Sequence, residues 1–246
     1  MNEPRAIDGP IYGTSARETY AALFAFVRRP SLVDADTRRD ADWWKALGAL
    51  TALDLLIAAL LLGLFWIIEQ SGVVLPEVEE FDFSPPVLFL LAVVVAPLCE
   101  EPLFRGWLSG NRAALNFAAC TVLALVLIGL SRILPDGFDS VAVWGALLIL
   151  LGAYLHWRRT REANSGVPDW FARNYGLIVY GSSIIFGAVH LTNFNEFSAL
   201  HPLMVLSQTV GALVLAFTRT RLGLRAAIYQ HAAFNAVMFS GEMAFA

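Results

Sequence analysis

Repeated long apolar runs constrain this chain more than any other feature of it. A helix needs about 20 predominantly apolar residues to cross a bilayer. The stretches expected to do so are Ala46 to Ile68, Pro86 to Leu108, Ala113 to Leu130, Val141 to Trp157, Tyr175 to Leu191, Leu200 to Phe217 and Leu224 to Phe239. Soluble domains carry about a quarter charged residues, whereas this chain is 15% charged and 57% hydrophobic. The expectation is an all-α, polytopic membrane bundle of seven helices in one domain, residues 46–246, behind an N-terminal segment of residues 1–45.

Met1 to Arg39 is polar and has no apolar stretch ahead of a small-residue cleavage site, so no signal peptide is expected. Within it, Ala16 to Val27 places Tyr20, Phe24 and Val27 at helical spacing before Arg28, Arg29 and Pro30, which predicts an amphipathic helix on the membrane surface. Arginines in the short loops set orientation. Arg28, Arg29, Arg38, Arg39 and Lys45 precede the first span, while the next loop carries Glu77, Glu79, Glu80 and Asp82 and no basic residue, so the N-terminus is expected in the cytoplasm. Arg112, the Arg158 to Arg173 group and the Arg219 to Arg225 group fall on the same side, and Arg132 alone falls opposite. Trp43, Trp44, Trp157 and Trp170 are expected at the interfaces. Cys99 and Cys120 suit neither a disulfide framework nor a CxxC metal site and are expected as buried structural thiols. A net charge of −4 without an aromatic-laced basic patch gives no reason to expect nucleic acid as a partner.

Against this background, Cys99-Glu100-Glu101-Pro102-Leu103-Phe104-Arg105 stands out at the end of an apolar run. Ionisable residues at membrane depth are costly and mark functional sites facing a bundle interior or cavity. In a helix Glu101 and Arg105 share a face, so this glutamate has a counter-ion, while Glu100 points about 100° away and is left without one. Pro97 and Pro102 flank the pair and each removes a backbone donor. His190 and His231 also lie inside apolar spans, with Asn235 one helical turn after His231. His156 and His201 fall near span ends and are expected in wet interfacial positions. Asp54 and Gln208 are intramembrane and polar, as structural partners or as parts of a relay. Gly181, Ser182, Ser183 and Gly187 read as small residues that permit close helix packing. With straight spans, Glu100 and His190 are offset by about 10 Å along the membrane normal, which tilt or the prolines have to close.

These motifs resemble those of the CPBP intramembrane proteases, which include type II CAAX prenyl endopeptidases and abortive-infection or bacteriocin self-immunity proteins. The family pattern, Glu-Glu-x-x-x-Arg, Phe-x-x-x-His and His-x-x-x-Asn, stands here as Glu100, Glu101 and Arg105, Phe186 and His190, and His231 and Asn235. The resemblance runs from Pro86 to the C-terminus. It implies a bundle of about eight helices, an intramembrane endopeptidase in a bacterial or archaeal plasma membrane, and a membrane-associated, prenylated CAAX-type or other peptide as substrate. Glu100, Glu101, His190, His231 and Asn235 would be catalytic, Glu100 with His190 activating water, Glu101 tuning Glu100, and His231 and Asn235 stabilising the oxyanion, with Arg105 and Phe186 as structural support. The residues also admit a metalloprotease in which Glu100, Glu101, His190 and His231 hold Zn²⁺. The alternative function is a non-proteolytic membrane scaffold or self-immunity factor.

Overall fold

The computed structural model describes residues 11–78, 82–131, 133, 137–163, 166–194 and 198–245, the last four without their side chains. Glu79, Glu80 and Arg132 lie outside the described residues, as do Met1 to Pro10. Apart from one isolated antiparallel bridge between Val78 and Phe194, the regular structure described is helical.

α1, Ala16–Arg28, begins where the Ser15 hydroxyl accepts the Glu18 N–H and the Glu18 carboxylate accepts the Thr14 N–H. Two faces of this helix are apolar. Leu23 and Phe26 are buried against the bundle, while Tyr20 and Phe24, on the expected stripe, face outward, Phe24 at 62% exposure. α2, Ala41–Gln70, starts five residues before the expected span because Asp40 caps it through the Trp43 N–H at 2.9 Å. At 30 residues it is about 45 Å long and overreaches a hydrocarbon core of about 30 Å.

The second crossing, Pro85–Phe104, is not a uniform helix. It comprises α3 (Pro85–Phe89), a π-helical stretch over Leu90–Val95 and α4 (Ala96–Phe104). In the π stretch the Ala96 N–H donates to the Leu91 carbonyl, five residues back, and the next residue, Pro97, has no N–H to donate. α4 ends at Phe104, short of the expected Leu108, and a 3₁₀ turn over Gly106–Ser109 follows. That turn closes on Gly110 at φ 69°, where a Cβ would meet Phe171 and Val167 side-chain carbons at 2.9 Å.

α5 (Arg112–Ser131) and α6 (Phe138–Thr160) form a hairpin packed chiefly on itself. The short α7 (Asp169–Arg173) leads into α8 (Tyr175–Val189), a 3₁₀ turn over His190–Asn193, the short α9 (His201–Met204), α10 (Leu206–Arg221) and α11 (Leu224–Phe245). Among the described residues, six helices are long and apolar enough to cross a membrane. The seventh expected span exists as α11, 22 residues long, but Gln230, His231 and Asn235 reduce its apolar character.

The buried core sits at one end of the bundle, where Leu23, Phe26, Trp43, Leu50, Phe171 and Phe217 meet. The arginine-bearing segments converge there. The Arg221 guanidinium donates to the Ser31 carbonyl at 3.0 Å, the Asp36 N–H to the Arg221 carbonyl at 2.8 Å, and the Asn111 amide to the Arg161 carbonyl at 3.4 Å. Trp43 is no interfacial anchor. It is 1% exposed, and its indole N–H reaches the Asp36 and Leu222 carbonyls, which ties the N-terminal segment to the end of α10. Trp44 and Trp170 do face outward. Cys99 is exposed rather than buried, because it sits on the outer face of α4, and Cys120 is half-buried. His201, expected in a wet position, is 5% exposed, with its ring 4.8 Å from that of Phe194. Of the small residues on α8, Gly187 permits a close approach, since a Cβ there would collide with Thr209 on α10, whereas Gly181 faces open space.

Candidate active site

The cation and two aromatic rings form the floor of the site. Arg105, at the end of α4, pairs with Glu101 at 2.6 Å, the two side chains being 1% and 0% exposed, as their spacing on one helix dictates. Its guanidinium carbon lies 3.9 Å from the centroid of the Phe186 ring, close enough for a cation–π contact. Phe186 packs edge-on against Phe104 at 5.1 Å and lies beside the His190 and His231 rings at 4.7 and 6.1 Å. Arg219 of α10 donates to the Arg105 and Gly106 carbonyls at 3.0 Å each, so an arginine with no carboxylate partner among the described residues fixes the C-terminal end of α4.

The Phe104–Phe186 contact also removes the expected 10 Å offset. Successive crossings make α4 and α8 antiparallel, so Glu100 and His190, each one turn from that contact, lie on the same side of it. Both line a cavity of about 500 Å³, within the usual range for ligand sites, together with His231 and Asn235.

Hydrogen-bond partners determine how the two imidazoles are protonated. His190 Nδ1 lies 2.8 Å from the Phe186 carbonyl, which can only accept, so Nδ1 carries the proton and Nε2 of the neutral ring keeps its lone pair. His231 Nδ1 lies 2.8 Å from Glu101 Oε1, a carboxylate already paired with Arg105, and the same conclusion follows. His231 Nε2 then faces Glu100 Oε2 at 4.0 Å. Glu100 Oε2 is buried and has no hydrogen-bond partner among the described residues. Glu101 Oε2 likewise has no hydrogen-bond partner among the described residues, so the two glutamates differ elsewhere: Glu101 Oε1 is held by Arg105 and His231, whereas Glu100 accepts no hydrogen bond from the described residues and lines the cavity.

Asn235 has a task that the sequence reading missed. Its Nδ2 donates to the Ala92 carbonyl at 2.8 Å. The α-helical donor for that carbonyl, Ala96, bonds Leu91 instead, and the π-helical donor would be Pro97, which has none. Asn235 therefore satisfies a carbonyl orphaned by the combination of π register and proline, and its second amide hydrogen remains. Proline five residues after Ala92 is the signal that could have indicated this bond.

For zinc, one of the expected ligands is already engaged. Glu101 Oε1 is committed to Arg105 and to His231, and among the described residues no three His, Cys, Asp or Glu side chains are grouped to hold a metal ion.

The fold and the cavity define an integral membrane protein: a helical polytopic bundle with a carboxylate and two imidazoles facing a cavity between its helices. Residues 82–168 match the family model described as Rce1-like, type II CAAX prenyl endopeptidase Rce1-like, which supports recognising the chain as a CPBP-type protein and, at the family level, as a peptidase. The matched stretch contains Glu100, Glu101 and Arg105. Phe186, His190, His231 and Asn235 lie beyond it, so the match is shorter than the Pro86-to-C-terminus resemblance carried by the motifs. No curated protein and no solved structure matches the chain.

Proposed function

We propose that this protein is an intramembrane endopeptidase that hydrolyses a peptide bond of a membrane-associated substrate, a prenylated CAAX-type peptide included, with a water activated by Glu100 and His190. The observation that carries the reading is the asymmetry of the glutamates. Glu101 Oε1 is held by both Arg105 and His231, while Glu100 accepts no hydrogen bond from the described residues, lies 4.0 Å from His231 Nε2 and lines the cavity that His190 also lines. A water held there donates one hydrogen to the Glu100 carboxylate and the other to His190 Nε2, leaving an oxygen lone pair to attack the substrate carbonyl.

Glu100 takes the proton as the carbon–oxygen bond forms. His231 Nε2 carries a proton taken from solvent before the substrate enters and keeps it through the cycle, and this Nε2–H with the second Asn235 amide hydrogen stabilises the oxyanion. Collapse of the tetrahedral intermediate breaks the carbon–nitrogen bond, and the proton held by Glu100 passes to the leaving amine. The arginine-rich end of the bundle is assigned to the cytoplasm by its basic loops.

The reading is tested with the purified full chain in lipid vesicles and a set of quenched peptides carrying a membrane anchor, prenylated and unprenylated. Mass spectrometry should find one internal bond cleaved, with heat-unfolded protein inactive. Intact peptides across the whole set, with a protein that melts cooperatively, would favour a scaffold over an enzyme.

A further inference from the structure

Asp54, on α2, takes no part in the chemistry above, yet it lines the same cavity. It is 5% exposed, and among the described residues no arginine or lysine pairs with it. Among the described residues its one hydrogen bond comes from Gln230 Nε2 to Oδ2 at 3.2 Å. Gln230 is itself fully buried, and Thr218 donates to its Oε1 at 2.6 Å, which fixes the amide with its donors toward Asp54. Asp54 Oδ1 accepts nothing from the described residues. It points at α10, where a Cβ on Gly211 would stand 3.1 Å from it. One turn before Gly211, Gln208 lines the cavity too, and its Oε1 is buried without a hydrogen-bond partner among the described residues.

Two unused acceptors on neighbouring helices, with no donor aimed at them, call for a ligand that brings donors. Charge narrows the choice. The cavity wall carries the Asp54 and Glu100 carboxylates against the single His231 imidazolium of the proposed mechanism, and no arginine or lysine. A neutral N–H would satisfy one oxygen but leave a carboxylate uncompensated at membrane depth, which a bundle tolerates poorly. We propose that Asp54 and Gln208 form a subsite for a cationic group of the substrate, an ammonium or guanidinium, whose insertion orients the peptide against Glu100. The word substrate rests on the peptidase reading; the subsite itself rests on the unpaired acceptors.

The experiment compares membrane-anchored peptides that have lysine or norleucine near the scissile bond, each with a free or an acetylated N-terminus. In the wild type the lysine peptide should be preferred by about 10-fold to 100-fold in kcat/KM, mostly through KM, as expected for one buried charge pair. In Asp54→Asn the ratio should collapse toward one. Gln208→Leu, which leaves the carboxylate in place, should reduce the ratio partially and serves as the second variant if Asp54→Asn does not fold. If acetylation rather than norleucine erases the preference, the cation is the N-terminal ammonium. Equal rates for all peptides, or an equal loss on all of them in Asp54→Asn, would overturn the subsite while leaving the peptidase reading standing. If nothing is cleaved, anisotropy of the labelled peptides decides. Binding of the cationic peptide that depends on Asp54 supports the subsite even as the peptidase reading falls, and indifferent binding overturns it.

Discussion

Replacing Arg105 with alanine should destabilise this protein more than any single change at the reacting groups. Arg105 is 1% exposed, pairs with a fully buried Glu101 at 2.6 Å, and lies 3.9 Å from the Phe186 ring centroid. Removing one partner of a buried ion pair costs about 3–5 kcal/mol, because the other charge is stranded. Losing a desolvated cation–π contact adds about 2 kcal/mol. One guanidinium nitrogen, Nη2, is buried with no partner among the described residues, and deleting it returns about 1–3 kcal/mol. His231 Nδ1–H stays on Glu101, so the remaining carboxylate keeps one donor. The net loss is about 4 kcal/mol, a large part of a typical stability of about 5–15 kcal/mol. Reversible unfolding in detergent, followed by tryptophan fluorescence, measures it. The double variant Glu101→Gln/Arg105→Met removes both charges and should lose clearly less than Arg105→Ala alone, because nothing charged is stranded. An Arg105→Ala protein as stable as the wild type would refute the reasoning, as would a double variant less stable than the sum of its singles.

Asn235→Ala should lower kcat by about 10²-fold or more, as loss of an oxyanion donor does, and should speed hydrogen exchange around Ala92 by orphaning its carbonyl; normal exchange there would break the link between Asn235 and the π stretch. Zinc content by elemental analysis should be well under one per chain, and stoichiometric zinc that switches activity off and on with chelation and return would reassign Glu100, His190 and His231 as ligands. The N-terminal segment should loosen in acid. Hydrogen bonds from Arg38 hold the Asp36 carboxylate at about 2, below its ordinary 3.8, so its stabilisation is complete above pH 3.8 and is lost as pH falls through about 2. Hydrogen exchange of residues 30–40 should rise across that interval, and Asp36→Asn should remove the pH dependence.

Much of the fold was legible in the sequence, since apolar length alone locates the crossings. The Glu101–Arg105 pair was legible too, because a four-residue spacing in a helix permits little else. The boundaries were less so. α4 ends at Phe104 rather than Leu108 because Arg219, 114 residues on, binds the carbonyls at its end, and no local pattern encodes that contact. The face of α1 was misread for a similar reason: Leu23 and Phe26 are buried by α2 and α10, partners that a single helix's periodicity does not reveal. Cys99 looked buried because an apolar run in a membrane protein makes lipid-facing and core-facing positions read alike. The roles of Asp54 and Gln208 depend on Gly211, whose missing side chain gives the carboxylate room, and that is a property of packing.

The central claim is that Glu100 is the base. Turnover of one cleavable membrane-anchored reporter by the wild type and by Glu100→Gln, in the same vesicles and with matched unfolding midpoints, tests it most directly. Glutamine keeps the size and removes the basic oxygen, so the account predicts a drop in kcat of at least about 10²-fold, the contribution of a positioned general base; a folded Glu100→Gln that cleaves the reporter near the wild-type rate would contradict it.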